Sequence, residues 1–249
     1  MLARLLPIAA LLLALSAPPA DAKSSRKDRS ATRAELGRAY LREGSLEAAI
    51  GALNEAVELD RSNWIAWTFL GMALAEKGKV KDAEKAFETA LRVEDERAEP
   101  HHNYGLFLFG QGRLDEAILQ YELALEDLAY RKPAFVLNNL GFALMTRGDH
   151  VRAVSTLRQA VQRAPNLCPA RFNLGLAYHA GGQAVQALSA FEDVIEVCGE
   201  EVPGAYLQAG LLLIQLERPD DATTYLYRVV DLAPGSDAAD QAEQLLADL

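Results

Sequence analysis

The side chains best suited to chemistry in this 249-residue chain are few: four histidines and two cysteines. His101 and His102 are neighbours, so on a helix their rings diverge and cannot close on one metal ion. His150 and His179 each stand alone. No H-E-x-x-H pair, phosphate-binding glycine loop, nucleophile elbow or C-x-x-C occurs, and Gly110-Gln111-Gly112 reads as a helix end rather than a phosphate cradle. The pattern provides no metal or cofactor site and no nucleophile with a base beside it. It points away from an enzyme and away from a small-molecule substrate.

Asparagine supplies a different chemistry. Asn103, Asn139 and Asn173 stand in the strings HNYG, NNLG and FNLG, and an amide offers both a donor and an acceptor. Stacked amides can grip the backbone of an extended peptide without reading its side chains. Equally, each amide can bond a carbonyl of its own helix or face water. Both readings stand on the sequence. Beside them runs an apolar series, Met72, Leu106, Phe142, Leu176 and Leu211, and a second, Phe109, Met145, His179 and Ile214. An apolar stripe of this length marks a binding surface when it is exposed. Phe109, Phe142 and Met145 are expected to contact a partner, whereas Leu176 and Leu211 are expected to pack between neighbouring elements.

These residues recur because the chain repeats. Glycines at 37, 71, 105, 141, 175 and 210 are spaced by 34, 34, 36, 34 and 35 residues. Twelve places after each stands Ala49, Ala83, Ala117, Ala153, Ala187 or Ala222. Four places further come Leu53, Phe87, Tyr121, Leu157, Phe191 and Leu226, and three beyond those Ala56, Ala90, Ala124, Ala160, Val194 and Val229. Glycine or alanine lets two helix axes approach, and the large residue fills the groove beside the contact. Gly44, Gly78, Gly112, Gly148 and Gly182 suit the C-terminal end of a first helix. Pro165 and Pro234 stop second helices. Each unit is therefore a helix pair whose apolar face needs its neighbours. The units span 30–63, 64–97, 98–133, 134–167, 168–202 and 203–235, and 236–249 forms a capping helix that opens on a Ser-Asp N-cap.

Cys168 begins the first helix of unit five and Cys198 follows the end of its second. Antiparallel helices bring those ends together, so a disulfide between them is expected in preference to two separate buried thiols.

The ends and the charge bound the cellular role. Residues 1–22 combine a positive start, the apolar run Leu5 to Leu15 and Ala20-Asp21-Ala22, the pattern of a secretory signal peptide removed after Ala22. A mobile basic leader over 23–29 is expected to follow, its basic and unpatterned character running on to Arg33. With 25 basic against 35 acidic side chains the formal net charge is −10, which argues against nucleic acid as a partner.

The columns resemble the tetratricopeptide repeat, whose period is 34 residues. The resemblance implies an all-α, right-handed superhelical solenoid of six helix pairs plus the C-terminal capping helix, with first helices lining the inner groove. Asn103, Asn139, Asn173, Phe109, Phe142 and Met145 then share that groove. A narrower resemblance lies in His102-Asn103-Tyr104-Gly105-Leu106-Phe107-Leu108, in Gly112-Arg113-Leu114-Asp115-Glu116-Ala117, and in Leu128-Ala129-Tyr130 before Asn139-Leu140-Gly141, with two extra residues between units three and four. This is similar to the type IV pilus pilotin family (PilF, PilW and Tgl-type proteins). Members are outer-membrane lipoproteins with six such repeats that help the pilus secretin assemble. The resemblance implies an exported, periplasmic protein with a secretin subunit as partner. The family's lipid-attachment cysteine at the cleavage site has no counterpart before Cys168, which implies a soluble member or peripheral outer-membrane association through the partner. The alternatives are a general periplasmic adaptor organising cell-envelope or cell-wall proteins, and a subunit of another secretion machine.

Overall fold

The computed structural model describes residues 25–199 and 201–249, and residues 1–22, expected to be a signal peptide, lie outside them. Among the described residues there are thirteen α-helices and no strand. They form six antiparallel pairs: α1 (Arg26–Arg42) with α2 (Leu46–Leu59), α3 (Trp64–Glu76) with α4 (Val80–Val93), and α5 (Ala98–Gly110) with α6 (Leu114–Ala124). The series continues with α7 (Pro133–Arg147) and α8 (His150–Arg163), α9 (Cys168–Ala180) and α10 (Ala184–Cys198), and α11 (Pro203–Gln215) and α12 (Pro219–Leu232). The last helix, α13 (Asp237–Asp248), is opened by Ser236, whose hydroxyl accepts from the Ala239 amide at 3.2 Å.

Packing follows the columns. The six alanines and the six large residues four places on are all buried. The glycines are small because the large residues lie against them: a Cβ on Gly210 would come within 2.9 Å of Leu226. Each helix packs on its pair-mate and on the next helix along the chain. From α1 to α9, first helices also pack on successive first helices, and no two second helices make comparable contact. The elements closest to one another lie inside the curve, so the first helices form the concave face.

Two expectations meet corrections or additions. The basic stretch from Arg26 to Arg33 is not a mobile tail but the first two turns of α1. Ser25 and Asp28 form a capping box, which satisfies amides that a helix start otherwise leaves unpaired. Ser30 is buried, donating to the Ala56 carbonyl at 2.7 Å and accepting from Asn63 at 2.8 Å, so this end of α1 is tied to the start of unit two. The second concerns the turn between first and second helices. Gly44, Gly78, Gly112, Gly148 and Gly182 have positive φ there, and in unit six Glu217 takes the same place at φ 58°.

Cys168 and Cys198 form a disulfide with a Cα–Cα distance of 5.9 Å. It closes the base of the α9–α10 hairpin.

Candidate functional site

The asparagines of units three to five do not behave alike. Asn103 donates to the Glu99 carbonyl one turn back, at 2.8 Å. Asn139 donates to Nε2 of His102 in the preceding unit at 2.8 Å and accepts from Asn138 at 3.2 Å. Asn173 donates to Asn138 Oδ1 at 2.9 Å. The result is a chain of side chains, His102–Asn139–Asn138–Asn173, that ties α5, α7 and α9 together along the concave face. All four are half-buried. One N–H of each of these amides is committed to a neighbour, leaving its second N–H as the donor a bound backbone could use.

His102 shows what the chain requires. Burial holds its imidazole well below its ordinary value of 6.5, at about 4. The neutral ring can then accept at Nε2 from Asn139, and its edge meets the Tyr121 ring at a centroid distance of 6.1 Å. His101 turns the other way, bonding Gln120 at 2.7 Å and the Asp95 carbonyl at 2.8 Å. Sequence reasoning treated Asn138 and His102 as bystanders, although both flank the asparagines already singled out.

The apolar residues lie alongside. Phe109 and Phe142 meet across units three and four with ring centroids 5.5 Å apart. Phe109 and Met145 also pack partly on the core, and Phe142 is half-buried. Leu176 and Leu211 pack against core clusters of units five and six. Toward the N-terminus the same face holds a cavity of about 470 Å³ with Leu41, Phe69, Met72 and Leu106 as its apolar lining. Asn103 lines this cavity, whereas Asn139 and Asn173 do not. Arg38 stands at its rim, with its guanidinium 4.6 Å from the Phe69 ring centroid. Arg38 and Phe69 escaped notice because they stand in the apolar and amide columns without sharing those residue types, whereas Leu41 stands in the column of Phe109 and Met145 and is apolar as they are.

One tetratricopeptide repeat model matches residues 34–92, 70–131 and 138–205, and a second matches 203–236. The chain belongs to the tetratricopeptide repeat family. Within that family it is similar to the type IV pilus assembly protein PilF of Pseudomonas aeruginosa, at 25% identity over 202 residues covering 81% of this chain and 80% of the relative. A protein of Haemophilus influenzae is 27% identical over 108 residues, which amount to 43% of this chain and 60% of that relative's length. Two solved structures share the fold. Pseudomonas aeruginosa PilF superposes with TM-score 0.76 at 23% identity, over 88% of this chain and 98% of that one. The type IV pilus biogenesis factor PilW superposes with TM-score 0.78 at 23% identity, over 86% and 98%.

Proposed function

We propose that this chain is a non-catalytic periplasmic scaffold that assists assembly of the outer-membrane secretin of type IV pili, binding a secretin subunit along its concave face. The observation that carries this reading is the sequence likeness to Pseudomonas aeruginosa PilF, which runs over 81% of this chain and 80% of the relative, and the fold shared with PilF and PilW agrees with it. The concave face supports it physically. Exposed or half-exposed apolar side chains next to amides with spare donors suit a protein segment: the apolar contacts supply affinity and the amides set register.

Phe142→Asp is the test. It puts a charge on the concave face beside Phe109 and should weaken partner binding by about 2 kcal/mol if Phe142 anchors the contact. Secretin multimers in cells should fall while abundance of the variant stays near that of the parent. Normal multimers with an abundant variant would remove this face from the docking reaction. Loss of the protein itself would mean that Phe142 is part of the packing, and Leu106→Asp, at a side chain 42% exposed on the same face, would then decide the question.

A further inference from the structure

We propose that the convex side of units five and six carries a second binding site, which takes an arginine side chain from a basic segment of a partner protein. It lies apart from the concave face and goes beyond the scaffold reading.

The site begins with a departure from the repeat. Fifteen places after the unit glycine stand Ala52, Ala86, Gln120, Thr156 and Ala190, but unit six has Tyr225 there. Tyr225 is half-buried, and its ring lies 5.9 Å from that of Tyr206, centroid to centroid, with a 49° tilt. It reaches across to α10, where its hydroxyl donates to Glu192 at 3.2 Å. The side chain thus stands in the groove between α10 and α12, where an alanine methyl group is too short to reach. Both are second helices, so the groove opens on the convex side.

The groove holds a cavity of about 420 Å³ with Ile195, Tyr206 and Tyr225 as its apolar walls. Glu192 and Glu196 line it as well, both exposed. Arg228 also lines it, but already has a partner within the chain. Glu196 forms no ion pair among the described residues. The surroundings add to this excess of acid. Residues 168–249 carry thirteen acidic and three basic side chains, whereas residues 1–167 balance, so this end holds the whole formal charge of −10. Its other two bases are committed: Arg218 pairs with Asp221 at 2.6 Å, and Arg171 lies 3.9 Å from Asp193.

The chemistry selects the occupant. Tyrosine rings offer their faces to a cation, and the carboxylates beside them accept its hydrogen bonds. A guanidinium is planar, stacks on an aromatic ring and meets a carboxylate through two N–H groups, whereas an ammonium is a strongly hydrated point charge. A neutral apolar side chain would cover the rings and leave the carboxylates unpaired. The field of the acidic end attracts a basic segment, and the aromatic cavity then discriminates arginine.

Fluorescence anisotropy tests this with residues 23–249, which include every described helix, and three short peptides of glycine and serine. The peptides carry three arginines, three lysines or three citrullines, citrulline keeping the shape of arginine without its charge. At low salt the arginine peptide should bind at least about tenfold more tightly than the citrulline peptide and about fivefold more tightly than the lysine peptide. Tyr225→Leu keeps apolar bulk without the ring and should bring arginine down to the level of lysine. Glu192→Gln/Glu196→Gln, at two exposed positions, should also reduce the preference for arginine while leaving the melting temperature unchanged. Asp240→Asn, on α13 outside the cavity, should leave that preference intact. Equal binding of the arginine and lysine peptides, or a preference that survives Tyr225→Leu, overturns the inference in favour of general attraction to an acidic surface. Binding of none of the peptides overturns it outright. If Tyr225→Leu does not fold, the glutamine pair decides, and an undiminished preference in that variant overturns the inference. Failure here leaves the secretin reading standing, because that is tested in cells at Phe142 on the opposite face.

Discussion

Tyr121 lies flat enough over Gly105 that a Cβ on the glycine would stand 2.6 Å from its ring. Tyr121 is 1% exposed, so it has nowhere to retreat. The same arrangement joins the first and second helices of every unit, which is why glycine recurs there.

Gly105→Ala should therefore destabilise the protein by about 2 kcal/mol, as overpacking of a dense core does. Gly51→Ala is the control, because nothing lies within 4 Å of its added Cβ and its site is within α2, where alanine is favoured by up to about 1 kcal/mol. Urea unfolding of both variants should give opposite signs.

Glu217 holds a left-handed turn at φ 58° that the other five units give to glycine. Its Cβ makes that conformation unfavourable by roughly 1 kcal/mol. Glu217→Gly should raise stability by up to that amount, partly offset by the greater freedom of glycine in the unfolded chain. A lower urea midpoint would show that the side chain compensates for its backbone.

His102 predicts a pH dependence. Its folded-state value of about 4 lies below the ordinary 6.5, so the unfolded chain binds this proton first as pH falls. The histidine's contribution is thus present above about pH 6.5 and is lost as pH drops toward 4. Between pH 7 and pH 5 the parent should lose roughly 2 kcal/mol more than His102→Gln, in which the other titrating groups are unchanged. Parallel stability curves for the two proteins would contradict the buried, neutral ring.

The disulfide closes a loop with a sequence separation of 30. Constraining the unfolded chain this way contributes roughly 3 to 4 kcal/mol. Reduction of the parent should lower its melting temperature, and Cys168→Ser/Cys198→Ser should melt near the reduced form. Two reactive thiols in the purified protein under non-reducing conditions would be the contrary result.

By itself, the amino-acid sequence determined the solenoid. Each unit packs on the next in the same way, so the demand for Gly105 under Tyr121, or Gly210 under Leu226, returns at a period that can be counted. The hairpin base of unit five was equally legible, because antiparallel helices bring Cys168 to Cys198 whatever lies around them. Other features that occur once were not legible. Arg26 to Arg33 looked like a solvated tail by composition, and only the burial of Ser30 against Ala56 and Asn63 makes it part of α1. The three asparagines form a regular column, yet Asn103 bonds its own helix while Asn139 and Asn173 join His102 and Asn138. Those partners come from whichever residues adjacent helices bring within reach. Repetition encodes contacts between neighbours in the chain, whereas the chemistry of the groove depends on side chains that meet only once the units are stacked.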